Sequence, residues 1–398
     1  MPASTPAKAS TSAASLTLAA YVSFVPIGIA TVLLGPMLPV LSARWLLNYS
    51  QSGALFSVQY IASTLAVGLS GVLASRWGFR FAIKTGLLLM AAGLALLLAG
   101  PKSLGIACIA AYGGGLGLAV PAANLLVAAA NPERRSATLN LLNFFWSAGA
   151  VSCPILVATA AKHHALPLFL ACVSSFSVIV AIGIAAMPGS IDEPSTSRNA
   201  SQRVVPLIKS RPVLFLIMGA LFLVYVGTEN GFGGWVASYA KSLGTLTASL
   251  SLMTPSFFYT ALMLGRWLAP LLLRSVDEVN LARAGLLLAS AGTAGLLLSH
   301  GLTGVMASAC AAGLGLSCVY PITISLLSLE YGSASSLIGS FMFVLSNIGG
   351  ALFPWIVGVS ANRFGTLKAG LFIPLLGCVV MYVLYQRSWT RVPIEPAA

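Results

Sequence analysis

The sequence predicts an all-α polytopic membrane protein, with twelve transmembrane helices in two pseudo-symmetric six-helix bundles and both termini cytoplasmic. Three observations predict this: the length and number of the apolar runs, the sidedness of the basic residues, and an internal repeat about one polar linker. Apolar residues make up 58% of the 398 and charged residues 7%, whereas about a quarter of a soluble domain is charged.

A spanning helix takes about 20 mainly apolar residues. Residues 15–42, 50–75, 79–99, 103–130, 136–161, 166–187, 212–240, 245–273, 280–299, 302–329, 335–360 and 366–386 each qualify. A closed β-barrel would show short alternating segments, unlike the unbroken "GLLLMAAGLALLLAG" at 86–100. Residues 1–14 read as a polar tail with no convincing cleavage site after it, so the first helix stays as an anchor. The expected units are a tail (1–14), a first bundle (15–187), a linker (188–211), a second bundle (212–386) and a tail (387–398).

The net charge of +13 is a topology signal. With a cytoplasmic N-terminus, one side receives fourteen basic residues, among them Arg76, Arg80, Lys84, Arg134, Arg135, Arg211, Arg274 and Arg283. The other receives six: Arg44, Lys102, Lys162, Lys241, Arg363 and Lys368. That asymmetry is the positive-inside bias, so no nucleic-acid partner is implied. The six cysteines are scattered in the apolar runs with no CxxC spacing and read as small buried groups. His163, His164 and His300 fall at outward helix ends, as interfacial residues or, alternatively, an outward pH sensor.

The polar stretch 188–212 divides the runs six and six, and the halves resemble each other. "GLGL" at 115–118 recurs at 313–316, in the fourth helix of each half. "SAGAVSCP" at 147–154 aligns with "NIGGALFP" at 347–354 in the fifth, matching Gly149 with Gly349 and Pro154 with Pro354. Two matches at nearly one offset argue for duplication.

Seven of the eight acids fall in loops, at helix ends or in a tail. Glu229 does not. It lies deep in the seventh run, among Gly227, Gly231, Gly233 and Gly234, which are expected to loosen the helix. Tyr225 and Phe232 share its face. An intramembrane carboxylate costs about 3 kcal/mol or more unless paired or hydrated. It is either helix-to-helix glue or a substrate-binding and proton-accepting group, and the second reading is preferred. Arg266, about 12 Å of helix from Arg274, is expected to snorkel to the cytoplasmic surface and pair with Glu330. Glu133 is expected to pair with Arg76 or Arg80, and both pairs would act as gate latches. Gln59, Asn124, Asn140, Asn143 and Asn347 are the neutral cavity candidates, each equally readable as helix glue. Trp146, Tyr320 and Trp355 are readable as aromatic planes of the cavity or, just as easily, as packing. Amides, one carboxylate and aromatic planes suit a neutral polyol. A cationic-drug site would more often show several acids or an aromatic cage, and an anion site a buried Arg or Lys.

Two six-helix halves about a midplane site is a transporter plan. The loop "GVLASRWGFRFAIK" (71–84) resembles the signature of the major facilitator superfamily. Gly71, Leu73, Ala74, Arg76, Gly78 and Arg80 match, with Ser75 where that family has Asp. More narrowly, "GTENGFGGWVASYA" (227–240) resembles the seventh helix of the fucose permease and sodium-dependent glucose transporter group through Glu229, Gly233, Trp235 and Tyr239. "GLGLAVPAAN" (115–124), ending at Asn124, resembles its fourth helix. "NLLNFFWSAGAVSCP" (140–154) resembles its fifth, with Asn143 where relatives often carry His. "GRW" (265–267) and "SNIGGALFPWIVG" (346–358) fit the eighth and eleventh. Gly35 and Val120 stand where fucose permease carries acids, so its proton coupling does not simply transfer.

The resemblance implies a monomeric carrier in the cytoplasmic membrane, moving a monosaccharide by alternating access. Glu229 would bind sugar and perform any proton coupling, Trp235 and Tyr239 would shape the outer cavity, and the five amides would line it. A co-transported proton or sodium ion is the one cofactor-like partner implied. A proton-coupled exporter and an uncoupled sugar uniporter are the alternatives. The tails and linker are too short for a signalling domain, and no metal cluster or Ser–His–Asp set is readable, so no enzyme is expected.

Overall fold

The computed structural model describes residues 6–187, 211–332, 335–387 and 389. The regular structure among them is helical: α1 (Pro6–Val32), α2 (Leu34–Trp45), α3 (Tyr49–Trp77), α4 (Phe79–Leu96), α5 (Lys102–Ala130), α6 (Arg135–Lys162), α7 (Leu166–Ala186), α8 (Pro212–Ser242), α9 (Ala248–Leu272), α10 (Glu278–Leu298), α11 (Leu302–Leu316), α12 (Val319–Tyr331), α13 (Ser335–Phe364) and α14 (Leu367–Leu384). All twelve expected runs are helical. Eleven stretches among the described residues are long and apolar enough to cross a membrane. The exception is α9, which has spanning length but carries Arg266 and a row of hydroxyls, Ser249, Ser251, Thr254, Ser256 and Thr260. α1 starts at Pro6, within the expected tail, and the expected linker lies outside the described residues except for Arg211.

Two expected helices are broken, for one reason. α1 ends at Val32 and α2 begins at Leu34. Pro36, with no N–H, cannot bond the Val32 carbonyl four residues back, and its ring crowds that carbonyl. Likewise α11 gives way to α12 at Ser317 and Cys318, four and three residues before Pro321.

The sequence repeat is also a packing repeat. A Cβ on Gly86 would sit 2.7 Å from the Gly115 carbonyl oxygen, and one on Gly285 would sit 2.5 Å from that of Gly315. A Cβ on Gly113 would lie 3.0 Å from the Gln59 Cα, and one on Gly313 3.0 Å from the Phe258 carbonyl carbon. Gly149 meets α1 at Ile29 as Gly349 meets α8 at Gly227. In each half these glycines let helix backbones touch, where a side chain would force them apart.

The halves meet where α3 packs on α13, α6 on α9 and α2 on α8. The seam is tight at the end holding the α2–α3 and α8–α9 loops. A Cβ on Gly53 would be 2.6 Å from the Pro354 carbonyl oxygen, and one on Gly35 would be 2.9 Å from that of Gly233. Ser57 donates to the Ala351 carbonyl (2.7 Å), and Ser256 to that of Val151 (2.9 Å). Along α6 the seam then opens. Val151 touches α9, while Asn143 and Asn140, two and three turns away on roughly that face, are exposed. The molecule is closed at one end and parted at the other.

Candidate functional site

α8 runs unbroken from Pro212 to Ser242, which corrects the expectation of a glycine-loosened segment around Glu229. Its glycines serve close approach instead. A Cβ on Gly227 would lie 2.5 Å from the Phe353 ring, one on Gly233 2.7 Å from the Tyr259 hydroxyl, and one on Gly234 2.7 Å from the Phe56 ring. Glu229 is therefore carried on a rigid helix wedged between both halves.

Glu229 has a partner. The Arg266 Nη2 of α9 lies 4.0 Å from its Oε2, with 25% and 12% of the two side chains exposed. This corrects two expectations: Arg266 does not snorkel away, and it does not pair with Glu330. Glu330 instead meets Arg211 at 3.3 Å. The physical reason is proximity: each of two lone charges inside the spans is the other's cheapest compensation. The guanidinium of Arg266 also lies over the indole of Trp146, from the opposite half, at 5.8 Å. Tyr225 sits beside both charges and stacks on Tyr320 with ring centroids 5.0 Å apart. Tyr60 donates to the Asn230 side chain at 2.7 Å, joining α3 to α8 next to Glu229.

Trp146 is fixed from behind. Its Nε1 donates to Thr31 Oγ1 (3.3 Å), Gln59 Nε2 donates to the Thr31 carbonyl (3.2 Å), and the Tyr112 hydroxyl donates to Gln59 Oε1 (3.1 Å). Gln59, 2% exposed, thus belongs to a polar chain inside the first half that ends on the Trp146 indole.

The other candidates disperse. Asn124 and Asn143 donate to the Val120 and Leu139 carbonyls of their own helices; Asn140 is exposed and Asn347 half-buried. Trp235 and Tyr239, expected to shape the outer cavity, are 1% exposed in the closed part of the molecule. Trp235 Nε1 donates to the Pro354 carbonyl at 2.9 Å, and its ring meets Tyr49 edge-on. Trp235→Phe keeps an aromatic ring there but removes that bond between α8 and α13 and part of the ring's volume, so it is expected to lower stability by about 1 kcal/mol, read as a lower midpoint of unfolding in detergent. Of the expected latch residues, Arg76 and Glu133 are exposed. Arg80 donates to the carbonyls of Ile184, Ala185 and Met187, capping the end of α7.

Sequence reasoning gave Arg266 a latch role away from Glu229, left Trp146 without a role, and did not single out Thr31, Tyr60 or Asn230. The available signal was that Arg266 lies two turns inside its run, as uncompensated along its helix as Glu229 along its own.

Residues 20–354 match the model of the Major Facilitator Superfamily. The chain belongs to that family. It is a multi-span membrane transporter and not an enzyme. Its similarity to the glucose/galactose transporter of Brucella abortus biovar 1 (strain 9-941) is 25% identity over 386 residues, covering 90% of each chain. The fold is similar to that of nucleoside transporter NupG, with TM-score 0.77 and 13% identity over 94% of this chain and 99% of that one. It is also similar to the E. coli fucose:proton symporter FucP, with TM-score 0.65 and 20% identity over 94% and 98%. The resemblance of the seventh-helix motif to the fucose permease and glucose transporter group is met at the level of the whole chain.

Proposed function

We propose that this transporter carries a monosaccharide, a hexose such as glucose, galactose or fucose, across the cytoplasmic membrane by alternating access, with the Glu229–Arg266 pair at the centre of the site. The observation that carries this reading is the length of the pair. At 4.0 Å the contact is beyond hydrogen-bonding distance, so carboxylate acceptors and guanidinium donors stay available. Arg266 Nε is buried with no hydrogen-bond partner among the described residues. A vicinal diol supplies what the gap lacks: one hydroxyl donates to Glu229 while its neighbour accepts from Arg266. The rings of Tyr225, Tyr320 and Trp146 offer flat faces to the sugar's C–H surface. The Brucella relative, named as a glucose/galactose transporter, supports the same substrate class.

The positive-inside bias of the basic residues supports a reading in which both termini, and the parted end of the seam, face the cytoplasm, so that this arrangement is inward-facing. With Gly35 and Val120 where fucose permease has acids, Glu229 is the carboxylate left to carry a co-transported proton; the alternatives are sodium coupling or uniport. Thermal unfolding of the purified monomer across a sugar panel, at two pH values and with or without sodium, tests both questions. A sugar at a hundredfold its Kd should stabilise the protein by about 2.7 kcal/mol, and an ion that moves with it should strengthen that shift. No shift with any hexose, together with a shift from amphipathic compounds, would leave the exporter reading in its place.

A further inference from the structure

Trp146 is where Arg266, the cationic member of the pair, meets the first half. Three features set it apart from ordinary packing. Its backbone is fixed, because Gly28 of α1 lies so close that a Cβ there would be 2.9 Å from the Trp146 carbonyl carbon. Its indole N–H is held by Thr31 at the end of the Thr31–Gln59–Tyr112 chain. Its face carries a guanidinium belonging to the other half.

Arg266 is thus shared between Glu229, on its own half, and Trp146, across the seam. The groups facing Glu229 are Arg266 and Tyr259 from α9, Tyr225 on its own helix, Tyr320 from α12 and Tyr60 from α3. Apart from Arg266 these are neutral phenols, so the guanidinium has one anionic competitor for its position. A guanidinium over an indole is held by the negative face of the ring, more strongly as water is excluded.

We propose that Trp146 is a positioning residue that couples the charge of Glu229 to the seam between the halves. While Glu229 is anionic, it draws Arg266 toward its own half. Once Glu229 is neutralised, the guanidinium rests on Trp146 and holds the halves in the arrangement seen here, closed at the α2–α3 end. Trp146 then senses, through Arg266, whether the carboxylate is occupied. The idea deepens the proposed site, since a proton or a sugar hydroxyl on Glu229 would be the natural trigger.

Hydrogen exchange of the closed seam tests it, read on peptides spanning residues 49–60 and 351–358 with no sugar present. Glu229→Gln should slow exchange there by about tenfold, the order of one desolvated cation–π contact. Glu229→Gln with Trp146→Phe should keep that slowing, because the ring face survives without the bond to Thr31. Glu229→Gln with Trp146→Leu should lose it. Glu229→Gln with Arg266→Lys should lose most of it, since an ammonium lacks the planar stack; this arm still decides if the leucine variant does not fold. Equal slowing in all four variants would overturn the proposal, as would a phenylalanine variant that behaves like the leucine one. Because no sugar is added, a negative result leaves the substrate reading intact, and a failed sugar panel leaves this coupling testable.

Discussion

Arg266→Gln is expected to abolish sugar uptake and to lower stability by about 3 kcal/mol, the low end for breaking a buried pair from one side. The low end applies because water reaches both partners, 12% of the Glu229 side chain and 25% of that of Arg266 being exposed. Glu229→Gln alone leaves the guanidinium without its anion and should cost less than that, because the Trp146 face still holds it. The double variant leaves no uncompensated charge, so most of the lost stability should return while uptake stays absent. Unfolding midpoints in detergent for the four proteins of the cycle check this. If the double variant loses the sum of the two single losses, the residues act independently and the pair is not the unit described here.

The same cycle separates two roles that a carboxylate in a membrane can have. Helix glue would show as stability lost on mutation with transport retained by any variant that folds. A substrate-binding pair would show the reverse in the double variant: stability near normal and uptake gone. In chemical terms a neutral amide pair can still hold helices together, but it cannot accept a proton or offer a full charge to a polarised hydroxyl.

How far the sequence goes is visible in particular residues. The two halves were legible because duplication left Gly149 and Gly349, and the paired GLGL segments, at nearly one spacing, and these glycines do lie at the closest helix contacts. Glu229 was legible because a carboxylate inside an apolar run is too costly to keep without a partner or a task. Its partner was not. Arg266 sits on a different helix, and rise along one helix says nothing of where a neighbour's charged residue points. Trp235 and Tyr239 failed for a related reason. Their helix was right, but whether an outer aromatic lines a cavity or fills a seam depends on which end of the molecule is closed, a property of how the halves are tilted rather than of either half. The break after Val32 was in principle readable from Pro36, but a proline in a long helix does not always break it: Pro121 remains inside α5.

That distinction between a half and the seam gives the second large effect. A valine at Gly53 would place its Cβ 2.6 Å from the Pro354 carbonyl oxygen and 2.9 Å from the Trp355 Cα, and both are backbone atoms that cannot rotate away. α3 and α13 belong to different halves, so the clash can be relieved without unfolding, by parting the seam. Overpacking of about 1–3 kcal/mol then becomes a shift of roughly 5- to 150-fold against the closed arrangement. Gly86→Val meets a contact of the same kind, 2.7 Å from the Gly115 carbonyl oxygen, but α4 and α5 lie in one half and no rocking motion relieves it. Gly53→Val should therefore keep nearly normal thermal stability while spin-label distances between the α2–α3 and α13–α14 loops lengthen and uptake falls. Gly86→Val should unfold earlier with those distances unchanged. If Gly53→Val instead destabilises the fold as Gly86→Val does, the α3–α13 contact is part of a fixed core, and alternating access must open this molecule elsewhere.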